Sequence, residues 1–160
     1  MFRFDHTALA VRDLDAGMRL FRDCLGGRLV KYSCDPDRAG CTLRFANGVC
    51  VELMEPLIPG TFLQRFVDTR GEGVHHLTFL VGDLRRAIAG LRAAGYALSG
   101  EDFTEPEWSE VFISPRSAHG TVVQLVQTTR TPEQLESGHS AARIEDARRR
   151  HVLARRTGRG

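Results

Sequence analysis

The feature of this sequence that most constrains its fold is an internal repeat. The segment FDHTALAVRDLDAGMRLF near the N-terminus aligns without a gap with VHHLTFLVGDLRRAIAGL further along, so that His6 matches His76. In both segments an apolar run leads to Asp-Leu and then to a helical pattern. Self-similarity of this kind indicates that one supersecondary unit is built twice. The chain is therefore expected to form two similar halves.

Each half is predicted to consist of a strand, a helix and three further strands. In the first half Asp13 or Asp15 caps the helix, Gly26-Gly27 ends it, and Asn47-Gly48 between two apolar runs indicates a hairpin. The second half repeats the plan with a strand at 73–81, a helix at 83–94 and strands near 96–100, 110–114 and 120–127. We expect an α+β fold of two βαβββ modules, at about 3–56 and 73–127, related by a pseudo-twofold repeat. Their mixed sheet should form an open cup with the helices outside.

Composition places the chain among ordinary globular proteins. Of its 160 residues 42% are hydrophobic and 26% charged, which fits one domain, assigned to residues 1–130. No apolar run reaches the ~18 residues of a membrane helix. The four cysteines form no CxxC pair, so they are expected to be reduced in a cytoplasmic protein.

The C-terminal segment, residues 131–160, is expected to be a basic helical tail. Thr131, Pro132 and Gln134 resemble the start of a helix with a capping box. The apolar residues beyond them form only a thin stripe: Ile144, Ala147, Val152 and Leu153. This pattern is compatible with a mobile helix or with one that packs on a second subunit. A nucleic-acid partner is not expected.

Four polar positions coincide in the repeat. His6 matches His76, and the last strands match as GVCVELM and GTVVQLV, which aligns Glu52 with Gln124. Alternation along a strand places each of the latter two among apolar neighbours on one face. A single strand histidine is usually a core or surface group, but packing gives no reason for polar groups at all four positions. Two imidazoles, a carboxylate and an amide oxygen predict a site for Zn, Co, Mn, Ni or Fe(II).

The other histidines are assigned different roles. His75 points away from His76 along the strand and is expected to be a supporting or structural group. His119, His139 and His151 are expected on the surface, because they lie in a turn-like segment and in the tail.

With these motifs the chain resembles the vicinal oxygen chelate (glyoxalase/bleomycin-resistance/dioxygenase) superfamily, and within it the methylmalonyl-CoA epimerases. The resemblance is carried by FDHTALAVRDLDA, VELMEP, GEGVHHLTFLVGDL and FISPRSAHGTVVQLVQ, and it spans roughly residues 3 to 127. It implies paired βαβββ modules around a divalent metal. The ligand positions fall on His6, Glu52, His76 and Gln124.

The chain departs from the epimerases at two places. In that family the last-strand ligand is a glutamate that is also proposed as a base, and the fourth-strand ligand is typically glutamine; here Gln124 and Glu52 are exchanged. An amide cannot accept the proton, so Glu52 is the predicted catalytic residue, and Gln124→Glu is expected to be mild. In addition, a glycine-rich loop of the family is replaced by the acidic EDFTEPEWSEV, which suits the phosphates of coenzyme A poorly.

The resemblance implies a metal-dependent epimerase or isomerase that removes a proton alpha to a carbonyl through a metal-stabilised enolate. Its small-molecule substrate would be a ketone or cyclitol, or an acyl-CoA such as methylmalonyl-CoA. An Fe(II) dioxygenase is one alternative, since His6, His76 and Glu52 could supply its facial triad. A metal-free binding or resistance protein is another. We expect a homodimer without nucleic-acid or membrane partners.

Overall fold

The computed structural model describes residues 1–131, 134 and 139–157. Each half has the predicted order of strand, helix and three strands, which confirms the α+β class. The elements are β1 (Phe2–Ala10), α1 (Leu14–Met18), a π-helical turn (Arg19–Cys24), β2 (Arg28–Cys34), β3 (Arg38–Arg44), β4 (Cys50–Pro56), α2 (Phe62–Arg70), β5 (Gly73–Val81), α3 (Leu84–Ala93), β6 (Leu98–Glu105), β7 (Trp108–Ile113), β8 (Val122–Thr128) and α4 (Ala141–Thr157).

The first of two compact units comprises residues 1–7 and 74–131. Its strands follow the order β1-β5-β8-β7-β6. The β5–β8 pair is parallel, whereas β8–β7 and β7–β6 are antiparallel, so the sheet is mixed as predicted. Helix α3 packs on this sheet, and the apolar core of the unit contains Val81, Leu84, Ile88, Val111 and Leu125.

The second unit comprises residues 8–73 together with the C-terminal helix. Its strands follow the order β2-β3-β4-β1, and the β2–β3 and β3–β4 pairs are antiparallel. Neighbouring residues of β4 serve two different cores, because alternate side chains leave opposite faces of a strand. Leu53 packs with Leu14, Met18 and Leu43, and Met54 packs with Ala8, Ala10, Leu63 and Val67.

The two halves begin their helices in the same way. The Asp13 carboxylate accepts the N–H of Ala16, and the Asp83 carboxylate accepts the N–H of Arg86, as a helix N-cap does. Gly26 and Gly95 follow the helices at φ 77° and 83°, a conformation in which a side chain would be strained. The predicted cap at Asp13 and the predicted stop at Gly26 are therefore confirmed.

The acidic segment EDFTEPEWSEV was expected to form a loop in place of the glycine-rich loop of the epimerases, and the structure shows that most of it is strand. It forms the β6–β7 hairpin, with Asp102 opposite Glu110 and Glu105 opposite Trp108 in register. Acidic residues are poor strand formers in general, but here most of them lie on an exposed part of β6, where water solvates them. Phe103 packs against the core of the unit and anchors the strand.

Helix α4 packs on its own chain, against β2. Ala147 and His151 are buried, whereas Val152 and Leu153 are exposed. The surface placement predicted for His151 is thus wrong, and the buried face follows an i, i+4 spacing that includes a polar residue. His119 is exposed as predicted, and His139 is half-buried. The predicted capping motif at Thr131 includes Pro132, which lies outside the described residues.

A buried carboxylate connects α4 to β4. Glu55 accepts hydrogen bonds from Leu14 N–H at 2.7 Å and from the Arg155 guanidinium, and His151 Nε2 lies 3.4 Å from it. Arg155 also binds the carboxylates of Asp13 and Asp15. Burial by itself would raise the pKa of Glu55, but hydrogen bonds from His151, Arg155 and Leu14 lower it below its ordinary value.

Among the described residues no helix is both long and apolar enough to cross a membrane. Cys34, Cys41 and Cys50 are buried and Cys24 is exposed. Burial raises the pKa of Cys34 and raises that of Cys41 to about 12, so these two thiols stay protonated at neutral pH.

Candidate metal centre

The first unit brings three of the four predicted ligands together. His6 lies on β1, His76 on β5 and Gln124 on β8. The rings of His6 and His76 meet edge to face with centroids 5.7 Å apart. His76 and Gln124 are buried, and the side chain of His6 is only 14% exposed. Buried polar groups of these types need hydrogen-bond partners.

Thr78 is the side chain that connects His6 to Gln124. It lies two residues after His76 on β5, so both side chains leave the same face of the strand. Thr78 is also the register partner of Gln124 across the parallel β5–β8 pair. Its hydroxyl donates to Gln124 Oε1 at 2.7 Å and lies 3.1 Å from His6 Nε2.

Asp5 determines which nitrogen of His6 carries the lone pair. His6 Nδ1 lies 2.8 Å from the Asp5 carboxylate, which can only accept a hydrogen bond at neutral pH. With the Nδ1 proton donated to Asp5, neutral His6 presents a lone pair on Nε2 toward Thr78. Such carboxylate–histidine pairs commonly orient imidazoles that bind metals.

The donor set at Thr78 fits a cation. The hydroxyl has one proton, and it lies within hydrogen-bonding distance of two acceptors, His6 Nε2 and Gln124 Oε1. Thr78 donates this proton to Gln124 Oε1, and His6 Nε2 lies beside the same hydroxyl oxygen. A divalent ion, in contrast, accepts nitrogen and oxygen lone pairs together, and this ligand chemistry suits first-row metals.

The far side of the Gln124 amide contacts the acidic hairpin. Gln124 Nε2 donates to Glu110 Oε2 at 2.8 Å, and the indole Nε1 of Trp108 donates to the same oxygen at 2.9 Å. Glu110 is half-buried on β7, diagonally across from Gln124 in the antiparallel β7–β8 pair. These contacts assign the amide nitrogen to the side of Glu110 and the amide oxygen to the side of Thr78.

The ring of His75 contacts the ring of His76 directly. Its Nδ1 lies 2.9 Å from Nδ1 of His76, and both rings are buried. One of these nitrogens must carry the proton for a hydrogen bond to form, so the pair couples the tautomers of the two rings.

Glu52, the fourth predicted ligand, lies on β4 of the second unit. It is half-buried and is the register partner of Thr42 on β3. Its negative charge adds to the effect of burial in raising the pKa of Cys41.

Sequence reasoning overlooked Asp5 and Thr78. A threonine in an apolar strand is an ordinary β-former, and an aspartate before a strand histidine resembles a surface residue. The signal that could have revealed Thr78 is alternation, because it shares the face of His76. The signal for Asp5 is its position next to a predicted ligand, where carboxylates commonly support imidazoles. Glu110 was recognised only as one of several acidic residues of a supposed loop.

Comparison with known proteins agrees with the resemblance read from the sequence. The chain is similar to an ethylmalonyl-CoA/methylmalonyl-CoA epimerase of Cereibacter sphaeroides, with 30% identity over 133 residues that cover 78% of this chain and 97% of the relative. It is also similar to the mitochondrial methylmalonyl-CoA epimerase of Homo sapiens, with 26% identity over 134 residues that cover 78% of this chain and 73% of the relative.

Solved structures give the same result for the fold. The crystal structure of methylmalonyl-CoA epimerase from Mycobacterium tuberculosis matches with a TM-score of 0.71 and 28% identity, over 80% of this chain and 89% of that one. Residues 5–112 match a family described as the Glyoxalase/Bleomycin resistance protein/Dioxygenase superfamily. This protein therefore belongs to the Glyoxalase/Bleomycin resistance protein/Dioxygenase superfamily.

Proposed function

We propose that the protein is a metal-dependent epimerase that removes and returns a proton next to a carbonyl group. The observation that carries the proposal is the convergence of His6 Nε2 and Gln124 Oε1 on the single hydroxyl of Thr78. In a superfamily member whose relatives include epimerases, this donor set is best explained as part of a metal site.

The proposed ligands are His6, His76, Gln124 and Glu52. The first three belong to one compact unit, and Glu52 is included because it is the repeat partner of Gln124. A divalent ion bound by this set would stabilise negative charge on a carbonyl oxygen of the substrate. The two histidines and two side-chain oxygens are compatible with Zn, Co, Mn, Ni or Fe(II).

Glu52 is proposed as the residue that accepts the α-proton. When the C–H bond breaks, its electron pair moves toward the carbonyl to give an enolate, and the proton passes to the carboxylate. A second acid then donates a proton to the opposite face of the enolate, which inverts the carbon centre. Gln124 can bind the metal or orient the substrate. It cannot accept this proton, because a neutral amide is not a base at neutral pH.

An acyl-CoA is the substrate class that we favour over a ketone or cyclitol. The acidic hairpin seemed unfavourable for phosphates, yet two of its carboxylates are paired with arginines. Glu101 binds Arg92, and Glu107 binds Arg130 at 2.7 Å. This pairing lowers the net negative charge of the segment, and the relatives named above act on methylmalonyl-CoA or ethylmalonyl-CoA by their names.

The test is exchange of the substrate α-proton in deuterated water, followed by mass spectrometry. Protein treated with chelator and then loaded separately with Co²⁺, Mn²⁺, Ni²⁺, Zn²⁺ or Fe²⁺ is incubated with methylmalonyl-CoA, ethylmalonyl-CoA and a panel of cyclitol ketones. We expect metal-dependent deuterium incorporation into a malonyl-type thioester, equal in air and under argon.

Two results would contradict the proposal. Exchange that is unaffected by removing every metal would exclude a metal-dependent enzyme. Consumption of substrate that requires dioxygen and Fe²⁺, without exchange under argon, would instead identify the oxygenase alternative. Glu105→Ala can be run in the same assay as a control for changes in the charge of the hairpin, because Glu105 is an exposed acidic residue there.

A further inference from the structure

We infer that Glu110 is a positioning residue that holds the Gln124 amide with its oxygen toward His6 and Thr78, and thereby makes glutamine usable as a metal ligand. The inference rests on the proposed metal site and deepens it. All residues involved lie in one compact unit.

The need for such a residue follows from the chemistry of the amide. A carboxylate presents an oxygen whichever way it rotates, whereas an amide presents either an oxygen or an NH₂ group. The NH₂ group has no lone pair available for a metal. A last-strand glutamine therefore works as a ligand only when its orientation is fixed.

Glu110 supplies the acceptor that fixes this orientation. Gln124 Nε2 lies 2.8 Å from Glu110 Oε2, and Gln124 Oε1 lies 2.7 Å from the Thr78 hydroxyl. Rotating the amide by half a turn would place its carbonyl oxygen against the Glu110 carboxylate. Two acceptors would then face each other in a largely buried position, which is unfavourable.

Glu110 is itself held in place. The indole N–H of Trp108 donates to Glu110 Oε2 at 2.9 Å, and Trp108 is half-buried. Trp108, Glu110, Gln124 and Thr78 are thus connected by hydrogen bonds, and the Thr78 hydroxyl lies 3.1 Å from His6 Nε2. Among the other acidic residues of the hairpin, Glu101 and Glu107 contact arginines instead.

The first measurement concerns the amide alone and needs no metal. In ¹⁵N-labelled, chelator-treated protein, the Gln124 side-chain NH₂ signals are assigned by their loss in Gln124→Ala. We expect one of the two protons to be shifted downfield and slow to exchange, and Glu110→Ala to abolish both properties. Glu105→Ala should leave the signals unchanged. An unaltered Gln124 signal in a folded Glu110→Ala variant would overturn the inference.

The second measurement is the affinity for Co²⁺, followed by its visible absorption. Loss of a residue that orients a ligand typically weakens metal binding by roughly 10–100-fold. We expect a loss of that size in Glu110→Ala, and little further loss when Glu110→Ala is added to Gln124→Ala. An equal loss in both backgrounds would show that Glu110 acts by another route and would overturn the inference.

The two measurements separate this inference from the proposed function. If the wild-type protein fails to bind any of the metals, the proposed function is wrong, while the amide signals still decide whether Glu110 orients Gln124. If the wild type binds Co²⁺ and exchanges the substrate proton, but Glu110→Ala binds equally well, the proposed function stands and the role of Glu110 does not.

Discussion

His6 Nδ1 lies 2.8 Å from the carboxylate of Asp5, the residue that precedes it in the chain. The contact joins two adjacent residues of β1, whose side chains would point to opposite faces in an ideal strand. It assigns the Nδ1 proton and leaves Nε2 for a ligand. The orientation of His6 thus depends on a local interaction as well as on the fold.

Asp5→Ala should therefore weaken metal binding without unfolding the protein. Without the carboxylate the neutral ring can take either tautomer, and the imidazole becomes a weaker donor. We expect the Co²⁺ affinity to fall by roughly 10–100-fold. Asp37→Ala, at an exposed position that contacts Leu57 through its backbone carbonyl, is the matched control. Equal affinities in the Asp5→Ala and wild-type proteins would show that Asp5 does not support the ligand.

Glu52→Gln should separate metal binding from proton transfer. An amide oxygen can still act as a ligand, but without a residue that fixes its orientation it is a weaker one, so Co²⁺ binding should persist with an affinity roughly 10–100-fold lower. Exchange of the substrate α-proton should fall by roughly 10²–10⁴-fold, the usual contribution of a positioned acid or base. If the metal-loaded variant exchanges the proton at the wild-type rate, Glu52 is no base.

Gln124→Glu should affect the stability of the protein because of the contact between Gln124 and Glu110. Gln124→Glu looked mild because it restores the usual residue of the epimerases. In the wild-type structure Gln124 Nε2 lies 2.8 Å from Glu110 Oε2. The variant therefore places a second carboxylate against Glu110. One pKa of the carboxylate pair should rise, so in metal-free protein the free energy of unfolding should fall as the pH rises above the ordinary pKa of a glutamate.

A second substitution at Glu110 provides the control for Gln124→Glu. Gln124→Glu combined with Glu110→Gln restores one donor and one acceptor, and its unfolding free energy should lose the added dependence on pH. Urea titrations of the three proteins between pH 5 and 8 would measure this. If the double variant shows the same pH dependence as Gln124→Glu alone, the two side chains do not interact as described.

Much of the fold could be predicted because the repeat constrains it. The order of elements followed from two matched segments, and Asp13 capped the first helix as its sequence position indicated. Strands were predicted near 96–100 and 110–114, but the acidic residues between them were expected to form a loop, because composition reports solvent exposure and not strand pairing. An acidic strand that is exposed along most of its length has no apolar alternation to reveal it.

The site could be predicted only in part, for a related reason. Four positions were matched through the repeat, and three of them, His6, His76 and Gln124, meet in one unit. Thr78 and Glu110 have no repeat partner of matching chemistry, since Ala8 occupies the position equivalent to Thr78. Interactions that break the symmetry of a repeat depend on tertiary contacts that a single sequence does not reveal.

The C-terminal helix offers a prediction about stability and pH. Arg155 binds Glu55, Asp13 and Asp15, while the Glu55 carboxylate is almost inaccessible to water. Arg155→Ala should lower the free energy of unfolding by about 1.5–3 kcal/mol, the usual contribution of hydrogen bonds to charged groups. Arg156→Ala, which changes an exposed neighbour on the same helix, should have little effect.

The sign of the pH dependence follows from the lowered pKa of Glu55. A carboxyl group whose pKa is lower in the folded state stabilises the fold above its unfolded value, and this stabilisation is lost as the pH falls through the folded value. Wild-type stability should thus decline below pH 4.5, the ordinary value of Glu55. The decline should be smaller in Arg155→Ala, because one group that lowers the pKa of Glu55 has been removed. Urea unfolding of both proteins from pH 7 to pH 3 measures the difference, and parallel curves would mean that Arg155 does not affect this carboxylate.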